Sequence, residues 1–279
     1  MADAMKRLIC TADDFGLTPT VNEAVERAAR DGILTAASLM VGAAAAADAV
    51  ERARRLPQLR VGLHLVLVHG RPLLPPGKLP VLVGADGWFQ SDLLRAGLRC
   101  FFSPGARGQI EAELRAQFEA FRRTGLALDH VNAHCHFHLH PTVLGLILKV
   151  GRDYGLRAMR LPAEPPGGGG PGSILLSPWT GLLRARLARA GIRCNDYLLG
   201  LSQTGAMTEA AVLALIERAG ALEGTGELYF HPAVRRCPEL IRAMHDYDHV
   251  AELQALLSPR VRAALERHGI ERVAFSDLS

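Results

Sequence analysis

The 279-residue sequence has few aromatic residues, only 5% of the total, and it lacks any apolar run near the ~18 residues of a membrane span. The aromatic residues do not alternate with a basic stripe, so we do not expect nucleic-acid binding. No long apolar segment precedes Asp13, so no signal peptide is expected and any membrane contact should be peripheral. With 49% hydrophobic residues and a net charge of +4, the chain can bury a sizeable core.

Paired cysteines are also missing. The five cysteines are scattered and none belongs to a Cys-x-x-Cys pair, a pattern not typical of zinc fingers or disulfide frameworks. We therefore expect reduced thiols in a cytoplasmic protein. The Gly-x-Ser-x-Gly motif of serine hydrolases and the Walker motif are absent, and the glycine run at 167–170 does not lead from a strand into a helix.

Histidine, in contrast, is concentrated in one place. Five of the eleven histidines lie between His130 and His140, and imidazole is the commonest protein ligand for transition metals. A second polar group, Asp13-Asp14, follows a buried strand predicted at 6–12. Adjacent carboxylates at a strand end, with a histidine cluster elsewhere, indicate a hydrolytic metal site. Cys135 as a thiol nucleophile would leave these carboxylates without a role.

Strand-like and helix-like segments alternate along almost the whole chain. This order predicts an α/β fold, a TIM-like (β/α) barrel, in one domain over 1–279; a doubly wound open sheet is the alternative. An irregular insertion is predicted at about 69–105 and a Gly/Pro loop at about 162–176. The predicted strands cover about 6–12, 33–41, 61–68, 127–132, 158–161, 193–198, 227–230 and 272–276.

The candidate site residues all fall near the C-terminal ends of these strands, where barrel enzymes place their active sites. Asp13 and Asp14 end the first strand, His64 lies in the third, His134 follows the fourth and His231 ends the seventh. Taken singly, an Asp pair can cap a helix and a histidine in an apolar strand is usually a core residue. Their combination favours a metal site.

Not every histidine between 130 and 140 can bind one ion, because a catalytic site typically takes three protein ligands and keeps a position for water. In an extended segment, His134, His136, His138 and His140 would point to one side. The histidines that are not ligands would contact ligands or substrate or lie at the surface. We expect His130 and His140 to be structural or surface residues.

Four motifs in order, TADDFG at 11–16, GLHL at 62–65, HVNAHCHFH at 130–138 and FHPA at 230–233, resemble those of the YdjC-like carbohydrate deacetylases. The resemblance covers nearly the whole chain. It implies a barrel of the glycoside hydrolase/deacetylase type that removes acetyl groups from N-acetylated sugars with one divalent metal ion. Imidazole ligands suit Zn²⁺, whereas family members are often described with Mg²⁺.

The resemblance also implies roles for single residues. Asp14, His64 and His134 match the metal ligands, Asp13 matches the catalytic base, and His231 matches a histidine near the leaving group. Apart from the resemblance, Arg160 near the end of the strand predicted at 158–161 would orient Asp13, hold substrate or form a surface salt bridge. The other candidates for contacts to ligands or substrate are Asn132, where many family members carry Asp, and His136, His138, Trp88 and Phe102.

Three further stretches, 125–134, 137–142 and 202–207, resemble the hopanoid-biosynthesis-associated branch of the family, HpnK. This resemblance implies an N-acetylglucosaminyl hopanoid, a glycolipid, as substrate. An apolar segment at 84–105 would either receive the lipid tail or pack onto the barrel. Two other functions stay open: a metal-dependent phosphoesterase on a similar barrel, and a metal- or sugar-binding module without turnover. The sequence does not determine the oligomeric state.

Overall fold

The computed structural model describes residues 6–165 and 171–278, and a parallel sheet lies at its centre. The strand order is β4-β3-β2-β1-β6-β5, and β7 pairs with β1 beside the start of β2. β1 is the central strand and is buried along most of its length, as apolar parallel strands are. The strands within the described residues are β1 Lys6–Phe15, β2 Ala36–Leu39, β3 Arg60–Leu65, β4 Val131–Ala133, β5 Tyr197–Leu199, β6 Gly224–Phe230 and β7 Glu271–Val273.

The sheet curls into the barrel that the sequence predicts. Beyond β4, single bridges join Val131 to Met159 and Ala158 to Arg193, and the Leu198 amide then donates to the carbonyl of Ala163. The segment 158–163 thus connects the edge strand β4 to β5, whereas both edge strands of a doubly wound open sheet are unpaired on one side. The α/β barrel prediction is confirmed.

The strand predicted at 158–161 is not formed as a continuous strand. Its backbone bonds to both neighbours, Arg160 N to Val131 O and Met159 N to Arg193 O, but only at single residues. Pro162 follows directly and has no N–H to continue the ladder. The short bridges still bring the side chain of Arg160 into the barrel.

Helices pack around the sheet, and several begin as the sequence predicts. Thr18 caps α1 by accepting a hydrogen bond from the Val21 amide, with Pro19 in the first turn. No helix in the described ranges is long and apolar enough to cross a membrane. The α-helices are α1 Pro19–Asp31, α2 Ala46–Arg54, α3 Leu93–Phe102, α4 Pro104–Arg123, α5 Pro141–Arg152, α6 Pro171–Arg189, α7 Glu209–Ala219, α8 Pro238–Ala243, α9 His249–Leu257 and α10 Pro259–Arg267.

Two segments differ from their predicted form. The insertion at 69–105 is not irregular throughout, because it contains α3, which Asp92 caps by accepting a hydrogen bond from the Arg95 amide. The predicted Gly/Pro loop is shorter at its C-terminal side, because α6 begins at Pro171. Residues 166–170 of that loop lie outside the described residues.

Candidate metal and active site

The two carboxylates at the end of β1 both enter the site because the strand is irregular there. Successive side chains of a regular strand point to opposite faces. Between Ala12 and Phe15 the pairing of β1 with β2 shifts register, and Asp14 adopts a positive φ of 60°. This backbone conformation is uncommon for a residue with a side chain, and Asp adopts it more readily than most. Both carboxylates thus lie beside His64, Asp13 Oδ1 at 4.0 Å from Nδ1 and Asp14 Oδ1 at 3.3 Å from Nε2.

Asp14, His64 and His134 converge on one point. Asp14 Oδ1 lies 3.3 Å from His64 Nε2 and 3.2 Å from His134 Nδ1, and the two ring nitrogens are 3.4 Å apart. The three residues come from β1, β3 and the end of β4. Among the described residues, these three form the group of His, Cys, Asp or Glu side chains whose ligand atoms lie close enough together to hold one metal ion.

The geometry of this group fits a divalent ion. Ligand atoms about 2.0–2.1 Å from a tetrahedral zinc ion lie about 3.3 Å from one another, close to the observed separations. Asp14 is 1% exposed, and neither of its carboxylate oxygens has a hydrogen-bond partner among the described residues. A buried carboxylate without partners is costly, and a bound cation would remove that cost.

Asp13 lies beside this group in a different environment. Arg160 donates from Nη1 to Asp13 Oδ2 over 2.6 Å and from Nη2 to Oδ1 over 3.0 Å, and Asn132 Nδ2 donates to Oδ1 over 3.0 Å. Burial alone would raise the pKa of Asp13, but the Arg160 guanidinium and His64 hold that pKa well below its usual range. Asp13 is therefore an ionised carboxylate at neutral pH.

Arg160 is the largest side chain that is fully buried in the described chain, so the surface salt bridge considered for it is wrong. The same guanidinium also donates to Glu227 Oε1 from Nη2 and Nε, over 2.6 and 2.9 Å. It carries one positive charge between two buried carboxylates. Its two hydrogen bonds hold the Asp13 carboxylate in one orientation.

The histidine segment does not have the extended form that would point its alternating histidines to one side. Residues His134–Leu139 form a 3-10 turn in which Cys135 and His136 have positive φ values of 53° and 51°. The alternating histidines therefore point in different directions. Only His134 reaches Asp14; His138 is buried and contacts the carbonyl of Arg160 through Nε2 at 3.1 Å.

His140 and His130, the two histidines expected to be structural or at the surface, lie away from the metal group. His140 is half-buried and packs on Phe101 with ring centroids 4.4 Å apart. His130 is fully buried, stacks on Phe275 at 4.3 Å and contacts Asp129 and Ser38. His130 is thus an interior residue rather than a surface one.

His231 follows β6, as predicted, and lies between two tyrosine rings, 5.6 Å from Tyr229 and 5.0 Å from Tyr247. Burial lowers the pKa of His231 to about 4, against the pull of the Asp14 and Asp13 carboxylates. The imidazole is therefore neutral at pH 7 in the protein without substrate.

Known proteins resemble this chain over the region that contains these site residues. A family profile described as YdjC-like protein matches residues 7–267, which include every predicted site residue. The chain belongs to the YdjC-like family. A human protein named carbohydrate deacetylase is 33% identical to this YdjC-like chain, over all of it and 93% of the human protein. A carbohydrate deacetylase of Geobacillus stearothermophilus is 31% identical over 96% of both chains.

A solved structure shares the fold of this YdjC-like protein. It is a protein of Enterococcus faecalis described in terms of cellobiose-phosphate cleavage, with a TM-score of 0.79, 26% identity and 98% coverage of both chains. The agreement extends over the whole curled parallel sheet and its helices. The deacetylase-type barrel is therefore the fold of this family member.

A cavity of about 460 Å³ opens beside the metal group of the YdjC-like chain. Five of the site candidates named from the sequence line this cavity: Asp13, His64, His134, His136 and His231. Several other residues that line the cavity were not predicted, because no local sequence motif marks them. Those residues include His69, Thr204, Tyr229, Met244 and Tyr247.

Trp88 and Phe102, the two insertion residues predicted to contact substrate, do not line this cavity. The Arg71 guanidinium lies 5.0 Å from the centre of the Trp88 ring, and Phe102 is 80% exposed. The insertion nevertheless adjoins the site, because the backbone amide of His69 in the cavity wall donates to Gln90 O.

Proposed function

We propose that this protein is a divalent-metal-dependent carbohydrate deacetylase that removes N-acetyl groups from an N-acetylglucosamine-containing glycan or glycolipid in the cytoplasm. The observation that carries the proposal is the buried Asp14 carboxylate. It lacks hydrogen-bond partners and faces ring nitrogens of His64 and His134, while the separately held Asp13 lies 4.0 Å from the same His64 ring and lines the cavity. The names of the human and Geobacillus relatives support the substrate class.

Asp14, His64 and His134 would hold one divalent ion, with Zn²⁺ favoured by two imidazole ligands and Mg²⁺ as the alternative. Such an ion supplies Lewis-acid chemistry, polarising a carbonyl and lowering the pKa of water. Asp13, kept ionised and oriented by Arg160, accepts the proton of the attacking water at a carboxylate oxygen. His231, which is neutral at pH 7 without substrate, takes up a proton from solvent while the substrate is bound and donates it to the departing amine nitrogen, and Asp13 returns its proton to solvent. The Tyr229 and Tyr247 rings flank His231 in the cavity wall.

The test separates the two neighbouring aspartates. Asp13→Asn keeps a side chain of similar shape, so we expect unchanged binding of one Zn²⁺ per chain and loss of most turnover of an N-acetylated chito-oligosaccharide. Asp14→Asn should weaken Zn²⁺ binding as well. Calorimetric titration with Zn²⁺ and a released-acetate assay measure the two quantities. Near-full turnover by Asp13→Asn at neutral pH would show that Asp13 is not the base.

The same titration separates the other two functions. A stoichiometry of two or three ions per chain, with release of phosphate from a phosphodiester, would indicate the phosphoesterase. Binding of one ion with no turnover of any N-acetylated sugar would indicate a binding module. Our proposal requires one ion and measurable acetate release.

The narrower substrate that we propose is an N-acetylglucosaminyl lipid such as a hopanoid. It is supported by the row of exposed apolar side chains on α3, which belongs to the insertion whose first residue, His69, lines the cavity. A lipid tail or a membrane surface that covered this row would remove apolar area from water. The exposed side chains are Leu93, Leu94, Leu98, Phe101 and Phe102.

We expect a higher kcat/KM for an N-acetylglucosaminyl lipid than for free chito-oligosaccharides, since each buried methylene contributes up to about 0.8 kcal/mol. Phe102→Ala and Trp88→Ala should remove this preference and leave turnover of the free sugars unchanged. Leu182→Ala, an exposed leucine on α6, is the matched control. Equal efficiency on both substrates in wild type would leave a general sugar deacetylase.

A further inference from the structure

A chain of four buried polar residues leads from the metal site into the barrel, outside the cavity. We call Asn132, Ser38, His130 and Asp129 the buried relay. Asn132 Nδ2 lies 2.9 Å from Ser38 Oγ, which lies 2.9 Å from His130 Nε2, and His130 Nδ1 lies 2.8 Å from Asp129 Oδ2. All four residues are buried.

The direction of each hydrogen bond follows from what the end groups can do. The Asp129 carboxylate accepts from the Ser276 amide, and it accepts from Nδ1–H of His130. With the ring proton of His130 on Nδ1, its Nε2 offers a lone pair, so the Ser38 hydroxyl donates to it. The Ser38 oxygen is left to accept from the Asn132 amide.

Asn132 completes the sequence of bonds at the metal site. Its two N–H groups donate to Ser38 Oγ and to Asp13 Oδ1, and its Oδ1 lies 2.7 Å from His64 Nδ1. His64 therefore donates from Nδ1–H and keeps the lone pair of Nε2 free, on the side of Asp14. Rotating the amide by 180° would place its carbonyl oxygen against the Asp13 carboxylate, two acceptors without a hydrogen between them.

The packing around His130 is specific to this side chain. A Cβ on Gly62, the residue that pairs with Ser38 between β2 and β3, would lie 2.5 Å from the His130 ring. The ring stacks on Phe275 of the C-terminal turn on its other side. The absence of a side chain at Gly62 therefore leaves the space that the His130 ring occupies.

We propose that Ser38 and His130, with Asp129 behind them, are positioning residues that hold the Asn132 amide in one orientation. In that orientation His64 presents Nε2 to the metal, and Asp13 keeps a fixed Oδ1. The positioning concerns the geometry of the site, and it rests on the proposed deacetylation only for its kinetic measurement.

The test uses Ser38→Ala and His130→Gln, each of which breaks the relay without touching a metal ligand. Loss of a residue that hydrogen-bonds to a metal ligand and orients it typically weakens metal binding about 10–100-fold. We expect Zn²⁺ affinity to fall by that factor in both variants, and kcat for an N-acetylated chito-oligosaccharide to fall while KM stays within about twofold. Ser38→Thr, which keeps the hydroxyl, should recover Zn²⁺ affinity.

Ser258→Ala is the matched control, because Ser258 is also a buried serine and its loss removes the cap of α10 far from the site. It should lower stability without changing Zn²⁺ affinity or kcat. Wild-type Zn²⁺ affinity in Ser38→Ala would overturn the proposal, whether or not His130→Gln folds. Weakened Zn²⁺ binding in the relay variants, with no sugar turnover even in wild type, would sustain the positioning role and reject the deacetylase.

Discussion

Arg160 binds Asp13 through two hydrogen bonds, and both side chains are buried, Arg160 completely. The guanidinium is planar and always charged, so it fixes the orientation of the carboxylate as well as its ionisation. The cost of burying this charge is offset by Glu227 on its other side. The catalytic base that we propose is therefore part of a buried network of three charges.

Substitution of Arg160 tests this network. Arg160→Met leaves the carboxylates of Asp13 and Glu227 without a counter-charge, so we expect a loss of about 3–5 kcal/mol in the free energy of unfolding. Arg160→Lys keeps the charge but not the paired hydrogen bonds, and should fold with kcat at least about tenfold lower. Urea unfolding and steady-state kinetics measure these effects. The control Arg115→Lys, at an exposed ion pair with Asp153, should change stability by less than about 1 kcal/mol.

The pH profile of Arg160→Lys gives an independent check. A base is inactive when protonated, so activity falls as pH drops through its pKa. Arg160 holds the pKa of Asp13 well below its usual range against the effect of burial. Weakening that contact should raise the pKa of Asp13 and move the acidic limb of kcat/KM to higher pH. An acidic limb at the wild-type position would contradict the role of Arg160.

Removal of metal ligands should affect binding selectively. We expect His64→Ala and His134→Ala to lower Zn²⁺ affinity more than about 100-fold with the fold retained. Loss of even a hydrogen-bond partner of a metal ligand lowers metal affinity about 10–100-fold. His140→Ala is the control, since His140 packs on Phe101 away from the group. Calorimetry and circular dichroism measure both outcomes. An ion held instead by His136, His138 and His140 in a crystal structure would refute the assignment.

The role of His231 can be examined through the leaving group. An amine must be protonated to depart, whereas a nitrophenolate need not be. We expect His231→Ala to lower turnover of an N-acetylated sugar about 10²–10⁴-fold and turnover of p-nitrophenyl acetate less than about tenfold. His245→Ala, an exposed histidine of the same cavity, is the control. Equal losses on both substrates would mean that His231 binds or orients the substrate instead, as its neutral state at pH 7 permits.

Buried neutral histidines should make the protein without metal sensitive to acid. Burial, together with the charge of Arg160, lowers the pKa of His138 to about 3, below the ordinary value of 6.5. The unfolded chain therefore takes up a proton first, and stability present above pH 6.5 is lost as pH falls toward 3.

For His138 alone this loss is about 2 kcal/mol between pH 8 and pH 5. His138→Gln, which can still donate to Arg160 O, should show a shallower decline. Urea unfolding of wild type and variant with a chelator, at pH 5, 6, 7 and 8, measures the difference. Parallel curves for the two proteins would show that His138 is not held neutral.

Much of the site was predictable because parallel strands end at one face of a barrel. Asp13, Asp14, His64, His134 and His231 are each close to the end of a strand-like segment, so their approach follows from the order of the strands. That argument needs only the positions of the segments. It does not need the details of packing between them.

Other features depended on contacts between distant parts of the chain. The turn at Cys135 and His136, with positive φ values at residues other than glycine, could not be inferred from alternating histidines. Nor does the sequence near Arg160 indicate Glu227, 67 residues away, as its second partner. The exposed face of α3 likewise arises only when Ala96 and Cys100 pack inward.

The sequence by itself determined the alternation of strands and helices, the barrel, and the candidate side chains at the strand ends, since these follow from local patterns and strand polarity. The tertiary structure alone decided how the histidine segment turns after His134, that Arg160 is buried between two carboxylates, and that Ser38 and His130 lie behind Asn132. Each of these depends on distances between segments far apart in sequence. Such distances are set only when the sheet curls and the side chains pack.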